Sequence, residues 1–298
     1  MTQAKEVDVL CVGHACYDLL FSVPEHPQEN EKIFATDLTE CGGGPAANAA
    51  VAVSLLGMKS AFAGQLGQDT YGDKHYQEFL NYSVCTDLIQ RTTHPTPLST
   101  VLVKPNGNRA LINYKGDTQP LAAEAIDFSQ LAPKVILFDG HEPYLSMPLA
   151  LQARQAGIPT VLDAGSLHDG TMALIGQVDY VVCSEKFGQQ FTGDAKKTLA
   201  RLGRVAPVVV ITLGEQGLIW QYGGHQGAMP AFAVKAIDST GAGDAFHGAF
   251  AAGLAAQMDW LALLRYASAA GAYCCTKKGA RLGLPSQADL DSLLQPLT

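Results

Sequence analysis

Short runs of apolar, β-branched residues recur along the chain, each continuous rather than alternating, with amphipathic stretches between them. Val7–Gly13, Val135–Phe138, Thr160–Asp163, Tyr180–Cys183 and Val208–Leu213 are of this kind. A strand with one face in water alternates apolar and polar residues, so continuous runs mark strands covered on both faces. Leu145–Gly157 and Ala195–Gly203, between them, carry helical spacing. The pattern predicts an α/β fold: a mostly parallel sheet with helices on both faces.

Two segments break the alternation. Asp18–Glu40 holds Pro24, Pro27 and a polar turn, then an extended run from Ile33. Ser99–Tyr114 reads as a hairpin, STVLVK and RALINY about a PNGN turn, and Asn-Gly between two such runs is the strongest short hairpin signal. Residues 18–40 and 99–114 are therefore expected to form a small antiparallel sheet, a lid on a core built from 1–17, 41–98 and 115–298. The alternative is an antiparallel edge extension of the main sheet.

A chain of 298 residues, 47% hydrophobic and 16% charged, can bury one large domain with a small appendage. Its net charge of −8 disfavours a nucleic-acid partner, which would need a basic surface. No apolar run approaches the roughly 18 residues of a membrane span, and the N-terminal stretch lacks the features of a secretion signal. The 7 cysteines, an odd number without a CxxC pair, argue against a disulfide framework and against a zinc site. A cytoplasmic protein is expected.

The stretch Asp238–Phe250, DSTGAGDAFHGAF, carries the most chemistry. A glycine turn opening a helix leaves backbone N–H groups facing an empty site, where the helix dipole favours an anion such as a phosphoryl group in transfer. Asp244 sits in the first helical turn, where an ionised carboxylate is favoured and could take a proton from an attacking hydroxyl. The alternative is a capped helix start whose Asp only satisfies the dipole. A second glycine cluster, CGGGPAANAA, opens a helix running to about Leu56. Gly42–Gly44 would permit close approach, and the Asn48 amide could donate to and accept from hydroxyls. The loop KKGARLG, taken singly, reads as a solvated helix C-cap. His247 is assigned a packing or supporting role. There is no GxxxxGK[ST], no HRD or DFG set, no GxSxG, no HExxH, and no GxGxxG after the first strand.

Together these motifs are far more specific than any one of them. Over essentially its whole length the chain resembles the ribokinase-like (PfkB-type) carbohydrate kinase family, with CGGGPAANAA similar to the N-terminal signature and DSTGAGDAFHGAF to the C-terminal one. GGGPAANAAVAVSLLG, INY, ARQAGIPTVLD, DAFHGA and KGARLGLP resemble the ketohexokinase and sulfofructose kinase branch most.

The resemblance implies a kinase using ATP and Mg²⁺, with Asp244 as base and Gly241, Ala242 and Gly243 as the anion hole. It implies Asp18, Gly42, Gly43 and Asn48 at the sugar. On the nucleotide side it implies Thr212, Gly214 and Gly217 of the ITLGEQG run, Ser268, Gly271, Lys277 and Gly279. Where the family often carries Asn-x-x-Glu, this chain reads Ser184-Glu185-Lys186-Phe187. Glu185 could then reach the metal only through water, with Mg²⁺ held mainly by phosphates and waters. Sulfofructose kinases hold the anionic end of their sugar with Lys, Asn and Arg; Lys32 and Asn113 match the first two, and His141 stands where Arg is expected. Neutral His supplies neither the charge nor the planar fork of Arg, so a neutral ketohexose such as fructose is the expected acceptor. The alternatives are an anionic sugar, reached by Lys32 with Arg109 or Lys115, a nucleoside, or a silent sugar- or nucleotide-binding regulator. A homodimer through the lid is expected.

Overall fold

The computed structural model describes residues 4–295; residues 1–3 and 296–298 of the ranges assigned to the core lie outside the described residues. The strands are β1 (Lys5–Val12), β2 (Cys16–Ser22), β3 (Asp37–Gly43), β4 (Ser60–Gly67), β5 (Cys85–Thr92), β6 (Leu98–Val103), β7 (Arg109–Tyr114), β8 (Leu131–Phe138), β9 (Thr160–Ala164), β10 (Tyr180–Ser184), β11 (Val208–Thr212), β12 (Leu218–Tyr222) and β13 (His225–Met229). The helices are α1 (Pro45–Leu55), α2 (Thr70–Asn81), α3 (Pro143–Ala156), α4 (Asp169–Leu174), α5 (Glu185–Thr192), α6 (Ala195–Leu202), α7 (Ala242–Ala255), α8 (Trp260–Cys274), α9 (Ala280–Gly283) and α10 (Gln287–Leu294).

Nine strands form one sheet in the order β13-β12-β11-β10-β9-β8-β1-β4-β5. All pairings from β11 to β5 are parallel, and β12 and β13 close one edge antiparallel. The continuous apolar runs are explained by two cores. Val9, Cys11, Val135, Leu137, Val182 and Val210 point to one face, under α1, α2, α7, α8 and α10. Leu10, Val12, Ile136, Phe138, Val181 and Val209 point to the other, under α3 to α6.

β3, β2, β6 and β7 form a separate sheet in that order, not an edge extension of the first. Its β2–β3 and β6–β7 pairings are antiparallel, but β2 and β6 run parallel because the chain crosses the main domain between them. The extended run expected from Ile33 becomes a strand only at Asp37, and β2 and β3 reach beyond residues 18–40 to Cys16 and Gly43.

The register sorts this sheet into two faces, since cross-strand partners share a side. Asp18, Ser99 and Asn113 stand in one row, with Leu20 and Arg109 on the same face. That face meets the core: Leu20 lies against Gly279, and Arg109 pairs with Asp238 at 3.3 Å. Leu38, Ile112 and Tyr114 share the opposite, exposed face.

Candidate active site

Parallel strands place their carboxyl ends on one edge of the sheet, where ligands bind in open α/β folds. Gly13 and His14, Asp139 to His141, Asp163, Ser184 and Thr212 lie at or just beyond those ends. α7 starts over the same edge, because the buried His247 on it contacts the Val182 carbonyl of β10 through Nε2 at 3.2 Å. Its Nδ1 lies 2.6 Å from the Gly243 carbonyl and 3.3 Å from Asp163 Oδ2. These contacts fit the packing or supporting role expected of His247.

The start of α7 has the geometry of an anion site. Gly241 caps it with φ 77°, a left-handed conformation that glycine adopts without strain, and a Cβ there would collide with Ala280. The space in front of Gly243 is open. The Ala242 N–H already donates to Ser239 O (3.3 Å), whereas those of Gly241, Gly243 and Asp244 have no partner among the described residues. The free donors thus differ by one from the expected Gly241, Ala242 and Gly243.

α1 and α7 pack closely because the facing residues are small: a Cβ on Gly248 would come within 2.8 Å of the Ala52 side chain. That approach lets Asn48 on α1 donate from Nδ2 to Asp244 Oδ2 at 2.6 Å. Asp244 is not simply a dipole-stabilised anion. Burial, then the Asp163 carboxylate, pushes its pKa up to about 7, against the opposing Asn48 hydrogen bond. Removal from water outweighs the helix N-terminus here.

Asp18 is buried beside it, and burial raises its pKa as well. Gly43 makes room for its carboxylate, since a Cβ there would lie 2.3 Å from Asp18 Oδ2. Gly42 does the same for His75 and Arg281. Asp18, Gly42, Gly43, Asn48 and Asp244 thus form one cluster.

The expected nucleotide residues fall into two groups. Gly279, at φ 77°, donates its N–H to Asp238 Oδ2 (2.9 Å), whose other oxygen accepts from Thr240 N–H at 2.9 Å. Gly271 lets α8 approach the Ala242 carbonyl, Ser268 is partly buried on α8, and Lys277 is exposed over the Tyr273 ring. Ser184 and Thr212 are register partners at the ends of β10 and β11, followed by Gly214 (φ 58°) and Gly217 (φ 88°). Glu185 is exposed in the first turn of α5, and no group of three or more His, Cys, Asp or Glu able to hold a metal occurs among the described residues.

Of the residues matched to the anionic end of a sugar, Asn113 shares a row with Asp18. Lys32 is exposed in the loop before β3, with no hydrogen bond or ion pair joining it to the cluster among the described residues. His141 belongs to a group that the sequence did not announce. Its ring stacks on His168 (4.7 Å) and tilts against His14 (5.2 Å). Beneath them Asp139 accepts N–H bonds from His14 (2.7 Å), Ala46 (3.2 Å) and His141 (2.9 Å), joining β1, α1 and β8. Burial, then the neighbouring His141, lowers the His14 pKa to about 4 and lowers that of His168. Asp139 and Asp163, also missed, carry one legible signal: an acid at the carboxyl end of a buried strand. Arg281 gave none. The KKGARLG loop is solvated at Lys277 and Lys278, as a cap would be, but not at Arg281, the largest fully buried side chain among the described residues.

The pfkB family carbohydrate kinase model matches residues 7–287. A ribokinase of Bacillus subtilis (strain 168) is 26% identical over 292 residues, covering 96% of this chain and 99% of its own. A probable fructokinase-5 of Arabidopsis thaliana is 29% identical over 293 residues, covering 88% and 90%. Among solved structures, a putative ribokinase from Agrobacterium tumefaciens superposes with a TM-score of 0.87 at 27% identity, covering 97% of each chain. A fructokinase with bound ATP from Xylella fastidiosa superposes with 0.79 at 26% identity, covering 97% and 98%. With a family model spanning nearly the whole sequence and both signatures at the edge of the sheet, the chain belongs to the pfkB family of carbohydrate kinases.

Proposed function

We propose that this protein transfers the γ-phosphoryl group of ATP to a terminal hydroxyl of a neutral ketohexose such as fructose. The observation that carries the reading is a carboxylate, Asp244, set beside open N–H donors and against Asp18, Asn48 and the Gly42–Gly43 backbone. Asp18 and Asn48 hold and orient the sugar; Asp244 takes the proton of its attacking hydroxyl. The N–H groups at the start of α7 stabilise the charge that develops on the transferring group.

The open space at Gly243 and the left-handed glycines 214, 217 and 279 suit close approach of nucleotide phosphates. Magnesium would neutralise phosphate charge; the chain's own contribution would be Glu185 through water. The small sheet acts as a lid that excludes water, and its apolar outer face suits a second copy of the chain, giving a homodimer. Cys11, Cys41, Cys183 and Cys274 as buried free thiols fit a cytoplasmic enzyme.

The acceptor is read from the far end of the site. His14 and His168, held neutral by burial, flank His141 and offer hydrogen bonds without charge. The narrower likeness to ketohexokinases and sulfofructose kinases rests on the sequence motifs. The test compares kcat/KM for fructose, fructose 6-phosphate, 6-deoxy-6-sulfofructose and a nucleoside panel at one ionic strength. Fructose is expected to lead. An anionic sugar ahead by more than about tenfold, or a preferred nucleoside, overturns the assignment, and no ATP consumption with any of them would favour a silent binder.

A further inference from the structure

Arg281 on α9 is fully buried beside the site: a Cβ on Gly42 would come within 3.0 Å of its guanidinium, and its charge acts on Asp18. Its Nε donates to Asn48 Oδ1 at 2.9 Å, and one terminal nitrogen lies 3.1 Å from His75 Nε2. The other lies 3.5 Å from Glu78 Oε2, which accepts the Gly42 N–H at 2.9 Å. Asn48 in turn donates to Asp244. Filling space alone would not call for an arginine here, since an apolar side chain packs as well without a charge to compensate.

We infer that Arg281 is a positioning residue for phosphoryl transfer, fixing the Asn48 amide so that its N–H, and not its oxygen, faces the base. The inference rests on Asp244 as that base. A guanidinium has only donors and an ionised carboxylate only acceptors. The amide between them therefore has one satisfactory orientation, oxygen to Arg281 and nitrogen to Asp244. Without the guanidinium the amide is free to turn over. Its oxygen then faces Asp244, repels the ionised form and accepts from the protonated one. Asp163 on β9 and Asp18 on β2 already disfavour ionisation, His247 favours it from the same helix, and Asn48 supplies the remaining favourable contact. Arg281 thus keeps the base available at neutral pH.

The experiment measures the pH dependence of kcat/KM for Arg281→Met and Arg281→Lys, with thermal denaturation as the folding control. Lysine keeps the charge but cannot serve Asn48 and Glu78 together. For methionine the acid limb should move up by about one pH unit, the equivalent of one charge-assisted hydrogen bond. For lysine it should move part of the way, and if the methionine variant does not fold, the lysine variant decides. In an Asn48→Ala background neither change should shift the limb further. An unmoved limb with only lowered thermal stability, or an equal shift in that background, overturns the inference. Asp244→Asn measured alongside separates the two readings: if it stays active, the base assignment fails; if it is inactive while the Arg281 limb is unmoved, only the role of Arg281 fails.

Discussion

Replacing Asp244 by asparagine should inactivate the protein and stabilise it at the same time. The substitution is nearly isosteric, and the new amide can turn its oxygen to the Asn48 N–H that Asp244 accepts at 2.6 Å. What disappears is a carboxylate whose pKa rises from 3.8 to about 7 on folding. The sign follows from proton binding. Between those two values the native state holds the proton that the unfolded chain has released, so stability falls as pH rises through the window and levels off above it. Three pKa units correspond to about 4 kcal/mol, an upper bound because local opening relieves part of it. A realised gain of roughly 1–3 kcal/mol would raise the melting temperature of a chain this size by about 1.5 °C per kcal/mol.

The same substitution removes the proposed base and should cut turnover by about 10²–10⁴-fold, equivalent to roughly 3–5 kcal/mol of barrier. Thermal melts of both proteins across the acid-to-alkaline range, paired with ADP-release rates, test both halves. The melting curves should coincide at acid pH and separate in favour of Asp244→Asn above neutrality. A variant no more stable than the parent at alkaline pH refutes the strained-carboxylate reasoning. A variant keeping more than about a tenth of turnover, with chemistry rate-limiting, refutes the base.

Gly43→Ala should raise the sugar KM by about ten- to a hundredfold, the loss of a charge-assisted hydrogen bond, because the new methyl would displace the Asp18 carboxylate 2.3 Å away. An unchanged KM would show that Asp18 does not hold the sugar. Sugar binding should slow hydrogen exchange in residues 18–40 and 99–114 more than in the helices, and uniform protection would count against a closing lid. Ile112, 66% exposed on the outer face of that sheet, should dissociate a dimer when changed to Glu. Sedimentation of the parent as a strict monomer at roughly micromolar concentration rejects the lid-to-lid interface.

Much of the architecture is local, and so could be read from the chain. Val208–Thr212 is a strand because its β-branched residues leave no polar face, and Arg109–Tyr114 returns on Leu98–Val103 because an Asn-Gly turn precedes it. Gly241 before an alanine-rich helix places Asp244 in a first turn whatever surrounds it. Which groups that carboxylate meets is another matter. Asn48 lies 196 residues away and arrives only because Gly248 and Ala52 let two helices approach. Arg281 reaches Asn48 across 233 residues, and nothing near it in the chain distinguishes it from a solvated arginine. The imidazoles of His14, His141 and His168 come from three separate strand ends. Propensity and periodicity act over a few residues, so the sequence by itself determined the buried parallel strands such as Val208–Thr212, the hairpin about Asn106-Gly107, the glycine turns and the placing of Asp244. Burial and charge pairing depend on segments brought together from across the chain, so only the tertiary structure decided the ionisation of that carboxylate and the partners that hold it.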